Sequence, residues 1–411
     1  VGTTEPSPSS APLARQLYAG VDIGKASHWV CLLDDQGRVL LSRKVANDEG
    51  DLTAVIEKAT SYGAEVTWAV DIVDTLSVLL LTLLTVAGQE VRYVAGQVVN
   101  TMSTAYVGEG KTDAKDAFVI AETARVRRGL PVVTSASDSS QELMLLTTRR
   151  ADLVADRVRM LNRLRSLLTS VAPALERAFE YGTHKGAMVL LTGYPTPQRL
   201  TRIGQTRLTR WLRARGVRSC ALVAARAIEA ARAQQVRLPG EDVAAALVVE
   251  LAADILALDE RLKTLEAQLA TAFRAHPHAR AIESMPGFGP VLGAMLLTAV
   301  GDLSSYPDPG HLAAAAGLVP VPKDSGRRVG NVHKPRRYSR PLRHALYLSA
   351  LSSLRTEGVN RDHYQKKRDA GRTHKQALIA LARRRVDVLW ALIRDHRTYT
   401  TQPPLRTPAA A

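Results

Sequence analysis

Cysteine is nearly absent: Cys31 and Cys220 are the only two in 411 residues, and they lie far apart in sequence. That excludes a disulfide framework and a cysteine-built zinc site, and it suits a reducing compartment. Acidic residues are also short. Against 55 Lys and Arg stand only 39 Asp and Glu, a formal net charge of +16. A surplus that large favours a polyanionic partner, most simply nucleic acid. No long apolar run is present either. The most apolar stretch, Leu76 to Ala87, carries Ser77, Thr82 and Thr85 and is too short to span a bilayer. It reads as a buried helix. No signal peptide is evident at the start, where residues 1–16 form a Ser/Pro-rich tail expected to be disordered. The expectation is a soluble, cytoplasmic, nucleoid-associated protein with no membrane partner.

What is present falls into three parts, as the length suggests. In the first, residues 17–134, Leu17-Tyr18-Ala19-Gly20-Val21-Asp22-Ile23-Gly24-Lys25 reads as a buried strand ending in a carboxylate and a glycine. His28–Leu33 and Arg38–Val45 continue as strands around a turn at Asp34-Asp35-Gln36-Gly37. A helix (Asp51–Ser61), a strand (Glu65–Val70) closing on Asp71, the apolar helix 75–87, a strand (Glu90–Val94) and a helix from about Gln97 follow. A meander followed by alternating strands and helices is the order of the ribonuclease-H-like fold.

The stretch Gly108-Glu109-Gly110-Lys111-Thr112-Asp113-Ala114-Lys115-Asp116-Ala117 then reads as a loosened loop tightening into a helix, with Thr112 as N-cap. Asp113 and Asp116, three apart, project from one face of the first turn. If the first and fourth strands are neighbours, Asp22 and Asp71 end beside them. Four carboxylates at one place repel unless a cation sits among them, and hard oxygen ligands suit Mg²⁺, with Mn²⁺ as a substitute. Each acid alone also fits a turn or cap residue, and Asp74 is an alternative to Asp71. His28, Glu65 and Glu109 read as structural or surface groups.

From about residue 135 to 278 the pattern is helical. Val154, Leu161, Leu164, Leu168, Val171 and Leu175 form one apolar seam; Val248, Leu251, Ile255, Leu258, Leu262, Leu265 and Leu269 form another. The spacing predicts two long helices packed as a coiled coil, with each other or with another subunit. Between them, residues 176–240 form a basic insertion containing Arg199, Arg202, Arg207, Arg210, Arg213, Arg215 and Arg218 with Trp211, suited to phosphate tracking or to a solvated face.

The last part, residues 279–400, is mainly helical, ahead of a second tail at 401–411. Met285-Pro286-Gly287-Phe288-Gly289-Pro290 leads into an apolar helix, a helix-hairpin-helix-like segment whose Gly287 and Gly289 could bring backbone N–H groups to a phosphate. The most basic loop follows, with Lys323, Arg327, Arg328, Lys334, Arg336, Arg337 and Arg340 around Asp324-Ser325-Gly326. Serine before glycine is ordinarily a turn; ringed by cations, its hydroxyl is placed for phosphoryl chemistry. Arg343 opens the next helix and could clamp a phosphate. Residues Arg361–Arg397 read as a basic helix pair with Trp390.

Together these strings, with Gly317-Leu318-Val319-Pro320 and Leu342-Arg343, resemble the insertion-sequence-110 family of transposases, the DEDD-type recombinases guided by a bridge RNA. The resemblance runs over nearly the whole chain. It implies a RuvC-like Mg²⁺ site at Asp22, Asp71, Asp113 and Asp116, and a nucleophile at Ser325 that forms a covalent phosphoserine link before the strand is rejoined. It further implies a dimer assembling to a tetramer, and as partners a noncoding bridge RNA with target DNA and element ends or a circular donor. Lys111, Gly287, Gly289, Lys323, Arg327, Arg328, Lys334, Arg336, Arg337 and Arg343 then form the nucleic-acid-binding set. Many members carry Glu where this chain has Asp71, a methylene shorter. Two rival readings remain: a RuvC-like junction nuclease acting by hydrolysis, and a non-catalytic nucleic-acid-binding protein.

Overall fold

The computed structural model describes residues 16–62, 65–73, 76–104, 112–133, 138–301, 303, 306–325 and 329–401. Both expected tails (apart from Gln16 and Thr401), Asp74, Lys111, Arg327 and Arg328 lie outside the described residues. The chain divides into two compact units, residues 1–137 with 302–305 and residues 138–301 with 306–411.

The first unit is a three-layer α/β structure. Its strands are β1 (Gln16–Asp22), β2 (Ser27–Leu33), β3 (Val39–Ala46), β4 (Glu65–Val70) and β5 (Glu90–Tyr93); its helices are α1 (Glu49–Thr60), α2 (Val78–Val86), α3 (Gly96–Ser103) and α4 (Asp113–Val126). The five strands form one mixed sheet in the order β3-β2-β1-β4-β5. β1 and β3 run antiparallel to β2, while β4 runs parallel to both β1 and β5. A meander needs only tight turns, whereas each parallel step needs a crossover, and helices α1 and α2 supply them. Alternation along β1 sorts its side chains between the two faces. Leu17, Ala19 and Val21 join Leu52, Val55 and Ile56 of α1 and Leu80 and Leu84 of α2 in one core. Tyr18 points the other way, to a core with Val99 of α3 and Val119 and Ile120 of α4.

One expectation needs correcting. The apolar helix α2 is not buried all round: Leu80, Leu81 and Leu84 are covered, but Val86 is 81% exposed. Its apolar run covers one face of the sheet, and Thr82 and Thr85 satisfy their hydroxyls on the preceding turn.

The second unit is almost wholly helical. Two long helices, α5 (Asp138–Val171) and α11 (Glu241–Ala275), pack on each other. Leu153 meets Leu258 and Leu262, Arg150 pairs with Glu266 and Arg157 with Asp259; rising numbers on one helix meet falling numbers on the other, so the pair is antiparallel. The seams read from the sequence therefore meet within one chain along this length. Between them lie α6 (Pro173–Ala178), α7 (Lys185–Leu191), α8 (Pro197–Ile203), α9 (Gln205–Arg213) and α10 (Cys220–Arg232). They close a core of Leu190, Leu200, Leu208, Leu212 and Val223 against Leu164 and Leu168 of α5 and Val248 and Ile255 of α11. The chain then runs through α12 (Ala279–Ser284), α13 (Pro290–Val300), α14 (Pro309–Ala315), the hairpin β6 (Val321–Pro322) and β7 (Val332–His333), α15 (Arg340–Ser353), α16 (Val359–Asp369) and α17 (His374–Arg394). Among the described residues, no helix is long and apolar enough to cross a membrane. Both cysteines are buried, and burial pushes the Cys31 thiol up to about 11.

Candidate active site and nucleic-acid interface

The four acids come from three elements that end at one edge of the first unit. Asp22 is the last residue of β1. The parallel register pairs Val21 with Val70, so Asp22 and Asp71 are the next two positions on neighbouring strands, which lie about 4.8 Å apart. Asp71 follows β4 directly, and Val70 in turn pairs with Tyr93 of β5. The Tyr93 phenol is pushed up first by burial and then by the negative charge of Asp71.

Helix α4 brings the other two. Thr112, in extended conformation, accepts the Lys115 amide on its hydroxyl at 3.2 Å, so the helix starts at Asp113 and holds Asp113 and Asp116 in its first turn. Negative charge there is favoured by the helix dipole. α4 lies hard on β1: a Cβ on Gly20 would stand 2.2 Å from both the Ala117 carbonyl oxygen and the Ala121 nitrogen. That close approach sets Asp116, the residue before Ala117, over the strand that ends two positions later in Asp22. The β1–β2 turn is pinned as well. The Gly24 amide donates to Nδ1 of the buried His28 at 3.2 Å, whose ring burial keeps below the usual imidazole range.

The donor set is carboxylate oxygen only, which fits a hard divalent ion. Among the described residues, however, no three acidic, histidine or cysteine side chains stand close enough to share one. The fold carries the acids toward one edge of the sheet. Asp113 is exposed, and Asp22, Asp71 and Asp116 are half-buried.

In the second unit, Ser325 is exposed just beyond β6. The hairpin is closed by the Lys323 amide on the Asn331 carbonyl (2.7 Å) and by the Asn331 amide on Asp324 Oδ1 (3.0 Å). Lys323, Lys334, Arg336, Arg337 and Arg340 are exposed, and none of them pairs with an acid among the described residues. Arg343 is placed differently. Its Nη1 donates to the Gly317 carbonyl at 3.0 Å and its guanidinium lies 4.7 Å over the Tyr338 ring. It fastens α15 to the turn before β6 rather than standing ready as a bare clamp. Gly317 is required by packing: a Cβ there would meet the Tyr338 ring at 2.5 Å.

The two glycines of the Pro-Gly-Phe-Gly turn also part company. Gly287 adopts φ +87°, and a Cβ on it would lie 2.3 Å from the Ser349 carbonyl oxygen of α15. Gly289 caps α13 in extended conformation with open space around it, so it is the one that can admit a phosphate to the helix start. Beneath the turn lies a residue that no sequence motif marks. Arg385 of α17 is 3% exposed and donates to the Pro286 carbonyl and to Ser349 Oγ, each at 2.6 Å. Its guanidinium sits 5.7 Å over the Phe288 ring, and burial brings it down to about 10. Its signal was an arginine on the apolar row Leu378, Leu381, Ala382, Val386, Leu389.

Residues 19–173 match a family model of DEDD-type IS110 transposases, and residues 279–365 match that of the transposase IS116/IS110/IS902 family. A 44.8 kDa protein of insertion element IS116 from Streptomyces clavuligerus is 54% identical over 95% of this chain and 98% of its own length. The chain belongs to the IS116/IS110/IS902 family of transposases. Another relative of this transposase, a 42 kDa protein of insertion element IS900 from Mycobacterium paratuberculosis, is 46% identical over 97% of this chain and 100% of its own. A pilin gene-inverting protein of Moraxella bovis is 31% identical over 29% of this chain and 38% of its own. The transposase is thus an enzyme acting on DNA, and the DEDD match points to a divalent metal.

Proposed function

We propose that this transposase cuts and rejoins DNA strands through Ser325, with Asp22, Asp71, Asp113 and Asp116 holding Mg²⁺ in a ribonuclease-H-like, RuvC-like unit. One observation carries the reading: the β1–β4 register and the Gly20–Ala117 approach direct acids from separate elements to one edge of the sheet. A bound divalent ion would supply positive charge to a DNA phosphate and neutralise the acids that hold it.

The rest is done by the chain's own groups. Ser325 Oγ attacks a backbone phosphorus; the Oγ–P bond forms as the bond to one strand's sugar oxygen breaks. The serine proton passes to solvent or a carboxylate, and the departing oxygen takes up a proton. A sugar hydroxyl of a second strand then attacks the phosphoserine, and Oγ leaves and is reprotonated. One phosphoester replaces another at each step, so no nucleotide cofactor is needed. The exposed cations around Ser325 stabilise the charge on the pentavalent phosphorus. Acids and serine act together in a homo-oligomeric assembly, a dimer building to a tetramer. A noncoding bridge RNA that pairs with donor and target DNA chooses the sites, and the net charge of +16 suits a chain with two polyanionic partners.

The test is a denaturing gel of the full chain incubated with Mg²⁺, guide RNA and substrate DNA. DNA covalently attached to the protein is expected, mapped to Ser325 and lost in Ser325→Ala, in Asp22→Asn and on chelation. Free-ended cleavage products with an unaffected Ser325→Ala variant would replace the recombinase with a hydrolytic nuclease. Full transposition by Asp113→Ala would remove the metal site altogether.

A further inference from the structure

From Tyr181 to Ile228 the chain contains no Asp or Glu, yet it holds Lys185 and eight arginines. On the long helices of the same unit, Arg150 is paired with Glu266 and Arg157 with Asp259. Here Arg199, Arg202, Arg207, Arg210, Arg213 and Arg218 are all exposed, and none pairs with an acid among the described residues. Their mutual repulsion is left uncompensated among the described residues, which marks the face for an anionic partner.

The arrangement is sharpest on α9. Leu208 and Leu212 are fully buried in the insertion core, which turns Thr206, Arg207, Arg210 and Arg213 outward. Arginines at i, i+3 and i+6 drift slowly round one side of a helix and span about 9 Å along it. Next to them Trp211 is already engaged. The Arg215 guanidinium covers its ring at 3.8 Å, and Tyr194 packs edge-on at 5.0 Å. A binder of single strands needs bare aromatic faces for base stacking, and this one is covered. A helix carrying arginines fits the wide major groove of B-form DNA but is shut out of the narrow major groove of an A-form RNA duplex. The α9 face also lies outside both segments that match the family models, residues 19–173 and 279–365.

We propose that the exposed arginine face of α9, carried by the acid-free insertion, is a docking surface for duplex DNA. This rests on the reading of the chain as a DNA recombinase, but it concerns binding alone. Arg207, Arg210 and Arg213 hold backbone phosphates, and the Trp211–Arg215 stack stiffens the end of the helix.

The experiment measures anisotropy of a labelled 30-base-pair DNA duplex titrated with the full chain over a salt series, without divalent metal, so strand transfer plays no part in the result. For Arg207→Ala/Arg210→Ala/Arg213→Ala, the slope of log affinity against log salt is expected to become shallower by about 2.7, near 0.9 for each phosphate that is no longer neutralised. Duplex affinity is expected to fall at least tenfold at 0.15 M salt. The matching Lys triple variant should keep the parent slope, and circular dichroism should show parent folding for both. A single strand and an RNA duplex of equal length should lose less than the DNA duplex. A slope change below one, or a loss as large on RNA or on the single strand, overturns the assignment.

Discussion

Gly20 and Ala117 meet with no room for a side chain: a Cβ on Gly20 would stand 2.2 Å from the Ala117 carbonyl oxygen. Backbone touches backbone there, and the first turn of α4 is located by that meeting. Gly20→Val should therefore lift α4 off the sheet. Overpacking of this kind costs about 1–3 kcal/mol, and strand joining should fall much further than stability, because Asp113 and Asp116 ride the displaced turn. Thermal melts beside a strand-joining assay check this; a variant that joins DNA at the parent rate would show that this packing does not position the acids.

Thr112 holds the same turn by its hydroxyl. Thr112→Ala should cost about 1 kcal/mol and free the amides of the first turn to exchange faster, with Thr112→Ser restoring protection. Hydrogen exchange at Lys115 is the readout.

Across the antiparallel pair, packing should outweigh charge. Leu258 is buried against Leu153, and Leu258→Ala should cost about 2–5 kcal/mol. Arg150 and Glu266 are partly solvated, so Arg150→Ala should cost no more than about 1 kcal/mol. Chemical denaturation of the two variants separates the effects.

Acid should loosen the start of the last third. The rings of His276 and His278 lie 5.4 Å apart, and His278 stacks on His396 at 6.2 Å. Burial first, and a neighbouring imidazole second, hold His276 and His278 below the ordinary value of 6.5. Both are neutral in the fold, while the unfolded chain takes up protons near 6.5. Their contribution is thus complete above that pH and is lost as pH falls through their depressed folded values. Glu283, held low by Arg274, acts in a separate window, below 4.5. Melting temperature should drop between pH 7 and 5, and His278→Gln should flatten the curve.

Arg385 should behave as a strut with little pH dependence. It stays charged in both folded and unfolded chains at any pH well below its folded value of about 10. Only between there and the higher ordinary guanidinium range does the unfolded chain bind more protons, so stability rises with pH only in that alkaline range. Arg385→Ala strands the Pro286 carbonyl and the Ser349 hydroxyl, and should cost about 1–3 kcal/mol for each neutral group left unsatisfied. Arg385→Lys should recover part of it. Equal loss in both variants would show that the planar fork, not the charge, is what the turn needs.

The order of elements was legible in the chain because it is local. Period-two strands, a Thr cap and Pro-Gly turns are written in neighbouring residues, and so are the acids and the basic loop around Ser325. Composition likewise pointed to a polyanion, since charge needs no fold to be counted. Only the tertiary structure decided that Gly20 is the point where α4 packs onto β1, that Gly287 serves α15 while Gly289 stays open, and that Arg343 is tied to Gly317. It also decided that the two long helices meet within one chain, and that Arg385 lies under a turn 99 positions away. Those facts depend on which surfaces meet across long loops, and nothing in a residue's own neighbourhood records what will be packed against it.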